Sequence, residues 1–211
     1  MAPALTEPDS SALHRLRHHN TTVWVTMLLA SVASLVASFV LSIDALALAV
    51  NPSADLGCNI NAVISCGTVG TSWQASLLGF PNAFLGLVFE PAVITLAVAS
   101  LGGVRFPRWF MLSAQVIYTI ALLFAYWLFE QAMFVIHALC PWCLLVTLAT
   151  TLVFFEMTYV NIRDDNLLLP RRIQAALSEF VQSNLDIILV IAWLLVLVLA
   201  VVLKYGEALF T

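Results

Sequence analysis

The stretch from Thr22 to Val50, TVWVTMLLASVASLVASFVLSIDALALAV, carries a single charged side chain, Asp44. It exceeds the roughly 20 apolar residues that cross a hydrocarbon core of about 30 Å as a helix. It is also far longer than the roughly 7 to 15 residues of a signal-peptide core, so Ala45-Leu46-Ala47 is read as part of a span, not as a cleavage site. Working outward, no Lys or Arg occurs between Arg17 and Arg105, and four more apolar runs follow. They cover about Asn82 to Leu101, Trp109 to Ala138, Pro141 to Val160 and Leu185 to Leu203, each near the length needed to span. With 62% hydrophobic and 9% charged residues over 211 positions, the composition excludes an ordinary water-soluble domain. The alternation of a membrane barrel strand is absent, so the spans are helices. The expected fold is an all-α integral membrane protein: a four-helix transmembrane bundle plus a fifth transmembrane helix.

The segments between the spans divide the chain. Residues 1–21 form a polar amino-terminal tail. Residues 22–160 form the four-helix core, with a loop at 51–81 rich in Gly, Ser, Asn and Thr. Residues 161–183 are a connector, and 184–211 hold the fifth helix and a short tail. Gly102-Gly103 ends the second span and Pro141 forces a break before the fourth. In the connector, Ile173, Leu177, Phe180 and Val181 recur at helical spacing, as in a helix lying on a membrane surface. Five spans put Arg15, Arg17, Arg105, Arg108, Arg163, Arg171 and Arg172 on one side and only Lys204 on the other. The positive-inside rule makes the first side cytoplasmic. All four cysteines, Cys58, Cys66, Cys140 and Cys143, then gather on the extracytoplasmic side, where disulfides persist. The expected location is a bacterial inner membrane. The net charge of −4 is spread without acidic or basic blocks, so nucleic acid is not a ligand class to consider.

Cys140-Pro141-Trp142-Cys143 is a C-x-x-C unit that opens a helix. Proline is favoured at the first helical position, which puts Cys140 near the N-cap and Cys143 one turn inside, on the same face. The exposed amides and positive dipole end of the helix favour a thiolate at Cys140. Cys143 points deeper, where a lipid-dissolved quinone can meet it. Cys58 and Cys66 would be roughly 12 Å apart on one helix at about 1.5 Å per residue. That exceeds the limit of about 7 Å for a bridge, so the loop must fold back when this pair is oxidised. Gly57 and Gly67 are candidates for the turns. A hinged dithiol of this kind can alternate between two partners.

Other readings of four cysteines were weighed. Two disulfides that only brace an external cap fit the composition. Zinc fits poorly, because the spacing in the loop and the Pro-Trp insert do not match ligand turns, so no metal is expected. No His follows Cys143, which argues against covalent haem.

With both pairs placed, the sequence resembles the vitamin K epoxide reductase family, particularly its bacterial members. The resemblance runs from about Cys58 to about Val160, with the first span completing the core. It is carried by Cys58 and Cys66 with seven residues between them, by Ile64-Ser65-Cys66-Gly67 with Val69 and Ser72, by Gly79-Phe80-Pro81-Asn82-Ala83-Phe84-Leu85-Gly86, and by Cys140 to Cys143. The disulfide bond protein B family does similar chemistry but carries its C-x-x-C in the first external loop, the opposite order. The resemblance implies that an external dithiol attacks Cys58 and releases Cys66. Cys66 then attacks Cys140, and the freed Cys143 donates electrons to a quinone, menaquinone or ubiquinone. It further implies that Asn82 hydrogen-bonds a quinone oxygen and that Phe89, Val69 and Leu128 line the pocket. The tyrosine found four residues past the last cysteine in animal members is Thr147 here, which departs from epoxide chemistry. Many bacterial members continue into a thioredoxin-like domain. This chain stops at Thr211, so the expected partner is a separate extracytoplasmic thioredoxin-fold protein of the disulfide bond protein A kind. Reduction of vitamin K epoxide as the main role, or a non-enzymatic disulfide-braced membrane protein, are the competing functions.

Ionisable residues within spans invite functional readings. Asp44 and His137 lie near outer helix ends, where water is within reach, and His137 is weighed as a proton shuttle. Glu90 and Glu130 are read as deeper, in hydrogen-bonded structural roles ahead of a quinol proton route. Glu156 is expected to snorkel, and Trp24, Trp109 and Tyr159 to anchor at the interfaces.

Overall fold

In the computed structural model, which describes residues 20–183 and 185–209, the first apolar stretch forms one long helix, α1 (Asn20–Val50). The expected tail with Arg15 and Arg17 lies outside the described residues. Ser31, Ser34, Ser38 and Ser42 recur along α1 at spacings of three and four, and all are buried. Lipid tails are as apolar as leucine, so close approach of helices in a membrane is driven by small residues and hydrogen bonds. This serine stripe lets α1 sit centrally against α3 (Ala83–Leu101) and α5 (Pro141–Arg163). Contact is closest at Gly86 of α3, where an added Cβ would stand 2.0 Å from Ser38 Oγ. Ser31 and Ser42 return their hydroxyl protons to the carbonyls of Met27 and Ser38, as serines do inside membrane helices.

The loop after α1 holds a short helix, α2 (Cys66–Gly70), and a 3-10 turn at Trp73–Ser76. α4 (Arg108–Gln131) packs on α5 and ends in a π-helical turn, Ala132–Ile136. His137 then turns the chain with φ of 59°, so the helix stops short of the expected Ala138. The connector forms α6 (Arg171–Gln182), and α7 (Leu185–Leu209) is the fifth apolar helix. Five helices are long and apolar enough to cross a membrane, and no strand occurs among the described residues.

At the end away from the cysteines, Asn161 donates to Gln115 Oε1 at 2.9 Å, Asn166 donates to Asn161 at 3.1 Å, and Arg108 donates to the Asn166 carbonyl at 3.0 Å. Below the cysteine end the core is filled by Met27, Val93, Ala97, Val153 and Met157. Two expected interfacial anchors belong to this core instead: Trp24 and Tyr159 are buried, because α1 and α5 are the inner helices and turn these rings inward. Trp109 is exposed, as an anchor would be. α7 lies at the periphery. Trp193 donates to the Tyr126 hydroxyl at 2.7 Å, and near the cysteine end Lys204 Nζ and Tyr205 OH both donate to the Met133 carbonyl, at 2.5 and 2.8 Å.

Candidate functional site

Asparagines shape the cysteine loop. Asn61 Oδ1 accepts from the backbone amides of Val63 and Ile64 at 3.0 and 2.7 Å, closing a tight turn. Asn59 Oδ1 accepts from Gly67 N at 2.9 Å and from Ser65 Oγ at 3.2 Å. Ser65 caps α2 by accepting from Thr68 N at 3.1 Å. Neither Gly57 nor Gly67 adopts positive φ, so the expected glycine turns are not what folds the loop. Gly67 is instead a close-approach position, since a Cβ there would lie 3.2 Å from the Asn59 amide.

The straightened chain then pairs with the segment before the C-x-x-C unit. Ile64 and Leu139 form a parallel bridge, with Ser65 N donating to Leu139 O at 3.0 Å and Leu139 N to Val63 O at 2.7 Å. Residues just beyond each side of this bridge come together, and those residues are Cys66 and Cys140. Cys58 and Cys66 are disulfide-bonded with Cα atoms 5.6 Å apart, while Cys140 and Cys143 are free thiols. The Cys140 Sγ stands 3.3 Å from the Cys66 Sγ. Pro141 occupies the first turn of α5 and Cys140 is its N-cap, accepting from Cys143 N at 3.4 Å. A hydrogen bond from the Cys143 thiol, helped by the amides of Cys143 and Trp142, holds the Cys140 thiol below its ordinary range against the opposing effect of burial.

Beside the sulfurs a cavity of about 920 Å³ runs between α1, α3, α4 and α5, within the usual size of small-molecule sites. Cys66, Cys140 and Cys143 line one end of it; Cys58 is not among the lining residues. Asn82, Phe89, Val69 and Leu128 all line the same cavity. Asn82 Nδ2 donates to the Gln74 carbonyl at 2.6 Å, which fixes the amide orientation, and its Oδ1 is buried with no hydrogen-bond partner among the described residues. An acceptor left unpaired in a low-dielectric site is costly unless a ligand satisfies it. Gln74, itself buried, donates to Gln131 Oε1 at 3.2 Å and ties the loop to the end of α4.

Several polar residues read weakly in the sequence take definite places. Asp44 does more than reach for water: it lines the cavity with Oδ2 3.7 Å from Cys58 Sγ. Asp44, Cys58 and Cys66 are close enough to resemble a ligand set, but the two sulfurs are spent on each other. Glu90 is buried between Ser34 Oγ at 2.7 Å and Tyr118 OH at 2.9 Å. Glu130 is exposed on the surface of the bundle, accepting from Gln131 Nε2 at 2.8 Å near the cysteine end of α4. His137 is exposed too, at the left-handed turn. Sequence reasoning missed Ser34, Gln74 and Tyr118. A buried serine or tyrosine has no distinguishing local pattern; the one available signal was that Glu90, inside a span, demanded partners.

Comparison with known proteins bears on this arrangement. A family model described as "Vitamin K epoxide reductase family" matches residues 25–158, well over half of the chain and all of the helices around the cavity. No curated protein matches the chain, and no solved structure does. An all-helical membrane bundle with a cysteine-lined cavity, spanned by that match, places the chain in the vitamin K epoxide reductase family, a family of membrane oxidoreductases.

Proposed function

We propose that the protein is a membrane thiol–disulfide oxidoreductase. It carries electrons from an extracytoplasmic thioredoxin-fold partner, through Cys58–Cys66 and then Cys140–Cys143, to a membrane quinone, and so supports disulfide bond formation. The observation that carries this reading is the free Cys140 thiol 3.3 Å from the disulfide sulfur of Cys66, with Cys143 on the wall of the cavity behind it.

The steps balance as thiol–disulfide exchanges. A partner thiolate attacks Cys58, breaking the Cys58–Cys66 bond and freeing the Cys66 thiolate. The partner's second thiol then displaces Cys58 and leaves with the new disulfide. Cys66 attacks Cys140 of an oxidised C-x-x-C, releasing Cys143, and Cys58 closes back on Cys66 to free Cys140. The Cys140–Cys143 dithiol gives two electrons and two protons to the quinone and becomes a disulfide. The arrangement described above, with the loop pair bonded and the helix pair reduced, is the state that precedes this last step.

Asn82, Phe89, Val69 and Leu128 are assigned to holding the quinone, menaquinone or ubiquinone, in the cavity. The arginines at the far end, Arg105, Arg108, Arg163, Arg171 and Arg172, support an orientation with that end cytoplasmic and the cysteines outside, in the inner membrane of a bacterial cell. Thr147 spends its hydroxyl proton on the Cys143 carbonyl at 3.0 Å, so the position where animal members carry a tyrosine offers no phenol to an epoxide.

The test is the thiol state of the purified protein, read by alkylation and gel shift. After reduction by a small dithiol, added quinone should reoxidise Cys140 and Cys143 in the wild type, and Cys143→Ala should abolish turnover. Thiols that ignore the quinone, as in a protein whose disulfide merely braces a cap, would end this reading.

A further inference from the structure

Three hydroxyl-bearing side chains meet in the membrane-embedded wall of the cavity, away from the sulfurs. Ser34 on α1 and Tyr118 on α4 each donate to one oxygen of Glu90 on α3, at 2.7 and 2.9 Å. All three are at most 5% exposed. Glu90 and Tyr118 face the same cavity as Asn82 and Cys143, whereas Ser34 is closed off behind them. Among the described residues no lysine or arginine pairs with Glu90.

A bare carboxylate at this depth has no counter-charge among the described residues, and its desolvation favours the neutral acid. Counting protons then gives a definite result. Ser34, Tyr118 and the Glu90 acid supply three O–H groups for two internal contacts, and each contact uses one. One donor is left over. Because Ser34 is closed off, the surplus O–H falls to Glu90 or Tyr118 at the cavity wall, where nothing among the described residues accepts it.

We infer that the Glu90–Tyr118 pair donates a hydrogen bond to the second oxygen of the quinone ring, the first being held at Asn82. This rests on the quinone reading above and adds a specific contact to it. The reach is suitable. Asn82 and Glu90 are eight residues apart on α3, a rise of about 12 Å. A quinone's opposed oxygens, roughly 5 Å apart with a hydrogen bond of about 2.8 Å at each end, span a similar length. Asn82 retains a second N–H and the unpaired Oδ1, so it can meet a ring oxygen before and after reduction. A donor fixed at the far oxygen draws electron density across the ring as it develops, away from Cys143. No net proton leaves Glu90, since both protons of the hydroquinone come from the dithiol. The contact also sets specificity: it favours rings with two opposed oxygens over rings with one.

Steady-state assays of the full chain, with a short-chain ubiquinone and a small dithiol as the two substrates, separate the roles. Tyr118→Phe and Glu90→Leu each leave one O–H at the wall, so it is the double variant, which removes both donors, that should raise the quinone KM about tenfold, with the dithiol KM and the Cys58–Cys66 bond unchanged. Glu90→Gln, neutral and still a donor, should stay within about threefold of wild type. An unaltered quinone KM in the double variant would overturn the inference, as would a Glu90→Gln variant as impaired as the double variant. Infrared difference spectra read binding without turnover: the acid carbonyl band lost in Glu90→Gln should shift when the quinone is added. A shifted band without turnover refutes the electron route but supports the contact; turnover without a shift refutes the contact alone.

Discussion

The sulfurs of Cys140 and Cys66 lie 3.3 Å apart across 74 residues of sequence, and the Ile64–Leu139 bridge holds the two backbones beside each other. A bond between the pairs therefore needs only a small side-chain movement. In a Cys58→Ser, Cys143→Ser double variant, mild oxidation should give an intramolecular Cys66–Cys140 disulfide, identified by peptide mapping without reduction. Recovery of only free thiols, or of cross-linked dimers, would contradict the placement.

Acidity of Cys140 supplies a pH signature. Its thiol is held below the ordinary range first by the Cys143 thiol and then by the amides of Cys143 and Trp142. Thiolate is the alkylated form, so a lowered pKa moves the onset of labelling to lower pH than for an ordinary cysteine. Cys143→Ala removes the largest cause and should carry the midpoint upward. Site-resolved alkylation rates across pH check this, and a midpoint that falls in Cys143→Ala would reverse the assigned cause.

Helix contact at Gly86 is tight enough to be tested directly. A Cβ there would meet Ser38 Oγ at 2.0 Å and Ser38 Cβ at 2.6 Å, with the next atom, Ser38 Cα, at 4.0 Å. Gly86→Ala should cost about 1–3 kcal/mol of stability, and adding Ser38→Gly should restore most of it. Thermal unfolding in detergent measures both; equal loss in the single and double variants would place the strain elsewhere.

The end of α7 grips the segment that leads into the C-x-x-C unit, through Lys204 and Tyr205 on the Met133 carbonyl. Each hydrogen bond contributes about 1 kcal/mol. Lys204→Met with Tyr205→Phe should therefore speed amide exchange across residues 132–140 about thirtyfold and slow formation of the Cys66–Cys140 cross-link. Unchanged exchange would mean that the fifth helix does not brace this segment.

Legibility in the sequence followed the range of the interaction. Pro141 announced the start of α5 and the N-cap position of Cys140, because both are local rules of helix termini. Ile173, Leu177, Phe180 and Val181 announced α6 by their spacing. Trp24 and Tyr159 misled, since in a span the lipid-facing and core-facing sides are equally apolar and no periodicity marks the inner one. Glu90 was visible as an anomaly, but Ser34 and Tyr118, 56 and 28 residues away, were not.

By itself the sequence determined that the chain crosses a membrane as helices and that its four cysteines collect at one end. Hydrocarbon thickness and backbone hydrogen bonding act on each span separately, so those results need no knowledge of neighbours. Only the tertiary structure decided which sulfur faces which, where Asn82 leaves an oxygen unpaired, and what surrounds Glu90. Each of these depends on side chains from different helices meeting across a cavity, and that is set by how the small residues of α1 let the bundle close.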